Sequence, residues 1–138
     1  MITPYLTFHG RCREALSFYQ EVFQCEEPKI MPYGDYMPEG SLTPPELLRD
    51  WVMHAEMVVN GTNMWFADEA AAPGIGENVK LTAIVSTGAE AAEIFEALAQ
   101  DGEVILPPTE TFYSVLHAAV KDRFGLHWNV VAEEAPSK

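Results

Sequence analysis

His54 and Glu56 stand two residues apart in a run of strand-forming residues, so in an extended chain both side chains leave the same face. A neutral imidazole and a carboxylate within reach of each other can act as a general base and its orienting partner. Joined by His117, they would also make a displaced site for a divalent ion such as Zn²⁺, Ni²⁺ or Mn²⁺. The competing reading is that His54 and His117 hold equivalent places in a repeated unit, each bonded to backbone and chemically idle. Tyr113, Trp128 and Trp65 offer aromatic walls to a planar or apolar ligand, and Asn129 or Thr111 can supply the few directional hydrogen bonds that a pocket needs. Strand aromatics are also ordinary core residues. His127 and Trp128 are adjacent, so only one of them can look into a cavity. Cys12 and Cys25 lack a neighbouring histidine, and Ser86 and Ser114 lack a Gly-x-Ser-x-Gly setting, which argues against thiol and serine nucleophiles. Asp122 and Arg123 suit a tight turn better than chemistry.

The spacing of these residues describes a scaffold built twice. His54-Ala55 precedes Trp65 by eleven residues, and His117-Ala118 precedes Trp128 by eleven again, 63 residues later. Between the members of each pair lies a turn signal, Asn60-Gly61 and then Asp122-Arg123-Phe124-Gly125, so each copy reads as an antiparallel hairpin. The hairpins are expected over 52–59 with 62–68, and over 111–121 with 126–133. Ahead of each comes a helix with one apolar face, the first over 12–24 and the second from a Thr87…Glu90 capping box to a left-handed cap at Gly102. Single strands are expected at 5–9, 29–33, 80–86 and 103–106, the last stopped by Pro107-Pro108. Residues 34–50 read as a long excursion with a turn of helix at 45–49, and 69–78 as a linker. The order is strand, helix, three strands, repeated, an α+β chain of two βαβββ modules at 1–70 and 78–134 in a single domain spanning 1–138. Neither small sheet covers both of its faces alone, so the modules are expected to share a core and a cavity.

Composition bounds the function. With 138 residues and 48% hydrophobic content the chain suits one domain, and no apolar run reaches the ~18 residues of a membrane span. No signal-peptide pattern opens it, so a cytoplasmic location is expected. A helix between Cys12 and Cys25 would hold them ~20 Å apart at ~1.5 Å per residue, too far for a disulfide. The net charge of −13 disfavours nucleic acid and anionic membrane as partners and suits cationic ligands, although acidity also serves plain solubility.

The stretches 4–10, 14–23 and 54–56, together with Glu110-Thr111-Phe112-Tyr113 and Lys121-Asp122-Arg123-Phe124-Gly125 before Trp128, resemble the vicinal oxygen chelate superfamily of glyoxalases, bleomycin-resistance proteins and extradiol dioxygenases, most of all its PhnB-like members. The resemblance covers nearly the whole chain. It implies paired βαβββ modules forming a half-open barrel and a homodimer. In metal-dependent members four side chains, from the first and last strand of each module, hold a divalent ion. Counting from Phe18-Tyr19 puts those places at Pro4, at Met64 or Phe66, at Lys80 and at Asn129, a set unsuited to a divalent ion. The expectation is therefore a small-molecule-binding protein without the usual metal ligands and with no predicted cofactor, its candidate contacts being His54, Glu56, Tyr113, His117, Trp128 and Asn129. The alternative is a metal-assisted lyase, isomerase or dioxygenase-type enzyme at His54, Glu56 and His117. A ubiquinone methyltransferase gains no support from the residues, since no glycine-rich nucleotide loop follows the first strand.

Overall fold

A computed structural model describes residues 1–36, 48–74 and 76–137, and divides the chain into two compact units, Met1–Gly74 and Ile75–Lys138. The expected turn of helix at 45–49 falls mostly outside the described residues. In the first unit β1 (Tyr5–Phe8) leads to α1 (Cys12–Phe23), β2 (Lys29–Pro32), a short α2 (Tyr33–Tyr36), β3 (Val52–Val59) and β4 (Thr62–Asp68). The second unit runs β5 (Leu81–Val85), α3 (Gly88–Ala99), β6 (Glu103–Thr109), β7 (His117–Lys121) and β8 (His127–Ala132). Each unit forms one mixed four-stranded sheet, ordered β1-β4-β3-β2 and β5-β8-β7-β6, in which only the β1–β4 and β5–β8 pairs are parallel. The fold is α+β with the βαβββ order repeated, as the spacing implies. No helix of the described residues is long and apolar enough to cross a membrane.

In each unit the helix covers one face of the sheet, and strand alternation sends the apolar residues there. Under α1 lie Ala55, Met57, Met64 and Phe66 with Ala15, Leu16 and Tyr19 of the helix, all buried. Ala83, Ala118, Val120 and Val130 likewise lie buried with Ala91 and Leu98 of α3. Both helix starts are held from a distance as well. Asp68, closing β4, accepts the Gly10 and Cys12 amides at 2.8 and 3.0 Å with Oδ1 and the Val52 amide at 3.0 Å with Oδ2. Arg11, at the cap position of α1, makes no side-chain cap, so the carboxylate from β4 satisfies donors that the helix leaves open. At α3 the expected cap forms, Thr87 Oγ1 accepting the Glu90 amide at 3.2 Å, and Glu134 just after β8 accepts the Gly88 amide at 2.9 Å.

Three local expectations are corrected. The left-handed residue after α3 is Asp101, at φ 57°, and Gly102 is small for another reason: a Cβ there would lie 2.5 Å from the Lys121 carbonyl oxygen. Strand β6 runs through Pro107 and Pro108 to Thr109, because it is a sheet edge where a missing amide leaves no ladder bond broken. Strand β7 begins only at His117, since Thr111 and Ser114 bond to each other in a turn, the Thr111 amide reaching the Ser114 carbonyl at 2.9 Å. Thr111 is thereby engaged locally and not held out as a pocket donor.

Candidate functional site

The pairing register decides which side chains share the face opposite α1. Glu56 lies opposite Trp65, Trp65 beside Tyr5, and His54 opposite Met31, so Tyr5, His54, Glu56 and Trp65 all leave that face. Tyr5, His54 and Trp65 form a three-ring cluster. Their centroids are 5.9 Å (Tyr5–His54), 5.6 Å (Tyr5–Trp65) and 4.8 Å (His54–Trp65) apart, and each pair of planes is near perpendicular, at 84°, 83° and 83°. Three mutually perpendicular planes are arranged like the walls at the corner of a box.

Glu56 stands beside this corner. Its Oε1 accepts a 2.9 Å bond from Asn63 Nδ2, and its Oε2 lies 3.7 Å from His54 Nε2. The Asn63 bond holds the carboxyl below its ordinary range against desolvation, the next-largest effect, and the charge of His54, a hydrogen bond from Trp65 and the charge of Lys29 add smaller contributions in the same direction as Asn63. The Glu56 side chain is 41% exposed and that of His54 24%, so a dissolved ligand can reach both. Burial pushes the Tyr5 phenol up, with Tyr33 and Glu69 adding to it, so Tyr5 is neutral at physiological pH. A groove of about 730 Å³ adjoins Glu56 and Asn63 and continues past Lys29 to Glu26, Glu27 and Cys25.

In the second unit the face opposite α3 carries His117 and Asn129. The Tyr113 phenol oxygen lies 2.6 Å from His117 Nδ1, and His117 Nε2 lies 3.5 Å from Asn129 Oδ1. A tautomer with hydrogen on Nε2 satisfies both contacts, leaving Nδ1 to accept from the phenol. The second unit thus brings together Tyr113, His117 and Asn129, and the first His54 and Glu56. Both histidines have side-chain partners, so neither is idle in the sense of bonding to backbone alone.

Trp128 is not with them. It is 4% exposed, on the side of the sheet covered by α3, and its indole donates a 2.9 Å bond to Asp122 Oδ2. The reason is turn length. The first hairpin turns on two residues between the paired Val59 and Thr62, the second on five between the paired Lys121 and His127. The longer turn shifts the last strand by one residue, so Asn129, opposite Ala119, takes the place that Trp65 holds opposite Glu56. Asp122 fixes this turn, its Oδ1 accepting the Phe124 and Leu126 amides at 2.9 and 3.0 Å.

The strand bounds and registers also correct the expected metal positions. Pro4 and Lys80 precede their strands, and Met64 and Phe66 are buried beneath α1. The register brings Tyr5 and Trp65 to the open face of the first and last strands of one unit, and Thr82 and Asn129 to those of the other. The phenol and indole of the first unit, and the hydroxyl and amide of the second, supply no anionic oxygen or imidazole. Among the described residues no three His, Cys, Asp or Glu side chains gather in a group able to hold one. The thiols of Cys12 and Cys25 are free and both are pushed up, chiefly by burial, which weakens them as nucleophiles.

Sequence reasoning missed Tyr5 and Asn63 as site residues. The signal for Tyr5 was its parity on a first strand; for Asn63 it was the two-residue Asn60-Gly61 turn, which sets Asn63 opposite Val58 and one step from Glu56.

Comparison with known proteins supplies a family. A family model described as 3-demethylubiquinone-9 3-methyltransferase matches residues 1–131. The crystal structure of protein PA1353 from Pseudomonas aeruginosa is 33% identical, with 96% of this chain and 97% of that one covered and a TM-score of 0.81. A putative 3-demethylubiquinone-9 3-methyltransferase, PhnB protein, from Bacillus cereus is 23% identical over 95% of this chain and 98% of its own, at a TM-score of 0.72. The fosfomycin resistance protein FosX of Listeria monocytogenes shares the fold at 12% identity and a TM-score of 0.60, over 97% and 91% of the two chains.

Proposed function

The chain belongs to the PhnB-like family whose model is described as 3-demethylubiquinone-9 3-methyltransferase, within the vicinal oxygen chelate superfamily and its glyoxalase/bleomycin-resistance-like fold, and from that premise we propose that it is a small-molecule-binding protein without a resident metal. The family's description does not carry methyl transfer to this chain, because β1 runs into α1 through His9-Gly10-Arg11, with one glycine where a nucleotide loop needs several. One observation carries the reading. Tyr5, His54 and Trp65 are gathered with Glu56 on the sheet face opposite α1, and Glu56 also borders a groove of about 730 Å³ that the rings themselves do not line. Pockets that combine apolar walls with a few fixed polar groups are the usual form of small-molecule sites. Tyr113, His117 and Asn129 form a second, more polar set in the other unit. Thermal melting against a panel of small organic compounds tests the proposal: saturable stabilisation that Trp65→Leu weakens is expected, and no shift with any compound counts against it.

The 3.7 Å approach of His54 and Glu56 favours a second reading, a metal-assisted lyase, isomerase or dioxygenase-type enzyme that uses this pair. It requires that Zn²⁺, Ni²⁺ or Mn²⁺ raise the melting temperature and that His54→Ala remove the effect. Unchanged melting in all three ions sinks it.

A homodimer in the cytoplasm completes the proposal. Val104, Ile105 and Leu106 on the edge strand β6 are exposed, as is Phe112, an apolar strip that a second copy of the chain would cover. Sedimentation equilibrium showing monomer alone at micromolar concentration would refute this part. The charge of −13 argues against nucleic acid and anionic membrane as partners.

A further inference from the structure

From the corner formed by Tyr5, His54 and Trp65 beside the Glu56 carboxylate we infer that the first unit recognises a methylated ammonium group, so that the ligand class is a small organic cation. The inference rests on the small-molecule reading above and gives it a chemical identity.

The argument starts from geometry. The faces of Tyr5 and Trp65 attract cations through the ring quadrupole, and their corner lets one compact cation meet both within ~6 Å of the centroids, with His54 closing the third side in its uncharged form. The three centroids are 4.8–5.9 Å apart with all planes near perpendicular, so the rings touch edge to face, and with Tyr5 exposed a cation would rest on the outside of the corner and not between facing rings. Simple hydrophobic packing does not require an anion next to the rings, yet Glu56 is there. Its carboxylate is held by Asn63 at 2.9 Å and favoured in its ionised form. The surroundings agree in sign: the groove leading away from Glu56 passes Glu26 and Glu27 against Lys29, the one cation among its described lining residues, and the chain as a whole carries −13. That groove gives room for the rest of the molecule.

A methylated ammonium is favoured over a primary one on physical grounds. Its methyl groups spread the charge over a larger apolar shell, so less hydration is lost on contact with rings, and it donates no hydrogen bond that the rings would have to satisfy. The ligand is therefore expected to bear trimethylammonium or a similar group, with a tail that lies in the groove.

The test is a titration of the full chain followed by ¹H–¹⁵N NMR, with choline, with its neutral carbon isostere 3,3-dimethylbutan-1-ol, and with ethanolamine. The indole N–H of Trp65 and the amides of β1, β3 and β4 report on the corner, and the indole of Trp128, buried beneath α3 in the second unit, serves as the internal control. Saturable shifts at the Trp65 indole with choline are expected, with ethanolamine and the isostere each at least about fivefold weaker. Glu56→Gln and Tyr5→Leu should each weaken choline by about three- to tenfold while the remaining spectrum confirms folding. Equal binding of choline and the neutral isostere at these residues overturns the cation assignment and leaves the small-molecule reading standing. Absence of any saturable shift there, with all three compounds, overturns the corner as a binding site. Choline affinity unchanged by Glu56→Gln and Tyr5→Leu together overturns it as well.

Discussion

Asp68 offers the sharpest test of the physical account, because one side chain joins three parts of the first unit. It is 1% exposed, and its two oxygens accept amides from the turn before α1, from the first turn of α1 and from the start of β3. Asp68→Ala removes the acceptor and leaves three donors, of which those of Cys12 and Val52 are buried. An orphaned buried donor costs about 1–3 kcal/mol, so the two buried amides together with the half-exposed Gly10 amide imply a loss of about 3–5 kcal/mol. Asp68→Asn keeps the shape but turns an NH₂ group towards one set of donors, for a loss of about 1.5–3 kcal/mol. For a chain of this size each kcal/mol lowers the melting temperature by roughly 3–5 °C, so alanine should melt about 10–20 °C lower and asparagine about 5–12 °C lower. Urea titration followed by circular dichroism gives the free energies, and hydrogen exchange locates the damage, which should appear at Gly10, Cys12 and Val52 before the middle of β3. The reasoning would be refuted by losses under about 0.5 kcal/mol in both variants, or by exchange that rises evenly along the sheet.

Other outcomes follow from the same contacts. Trp128→Phe should cost about 1.5–3 kcal/mol, because it removes the indole bond to buried Asp122, whereas Trp65→Phe should cost well under half as much; equal losses in urea titration would contradict the two orientations. Gly102→Ala should destabilise by more than about 1 kcal/mol, since its Cβ would meet the Lys121 carbonyl at 2.5 Å, while Gly74→Ala, with open space around it, should melt like the parent chain. Alkylation with iodoacetamide read by mass spectrometry should spare Cys12 in the folded protein, modify Cys25 slowly and modify both in urea; rapid labelling of Cys12 would contradict its burial. Glu56, whose ionised form Asn63, His54, Trp65 and Lys29 favour, should titrate below an ordinary glutamate. Its contribution is then complete above the unfolded value and lost as pH falls through the lower folded one, and Asn63→Ala should move the carboxyl ¹³C midpoint upward; an unmoved midpoint would dismiss that bond as the cause.

Much of the scaffold is legible along the chain because it rests on local chemistry. The hairpin 52–59 with 62–68 follows from alternation around Asn60-Gly61, where positive φ at both residues suits a two-residue turn. Helix α1 follows from its apolar spacing, and α3 from that together with the cap at Thr87. Where expectation and structure part, a contact distant in sequence has overridden a local rule. Gly102 reads as a helix cap, yet its smallness answers to Lys121 in another strand. Pro107 and Pro108 read as strand breakers, yet β6 is the edge strand of its sheet. Short α2 carries no local signal, and its amides at Tyr33 and Gly34 bond to the Trp51 and Arg49 carbonyls, far along the chain.

The candidate site divides along the same line. Sequence alone determined that His54 and Glu56 share a face, because two residues on one strand always do, and that the βαβββ unit occurs twice, because the periods that encode it repeat. It could not determine how the strands register against each other. Trp65 and Trp128 follow their histidines by the same eleven residues, but five turn residues in place of two put them on opposite faces of their sheets: one beside Glu56 and Tyr5, the other buried against Asp122. Side-chain direction in a sheet has a period of two, so a shift of one residue, decided only by how the folded turn closes, exchanges a wall of the site for a piece of the core.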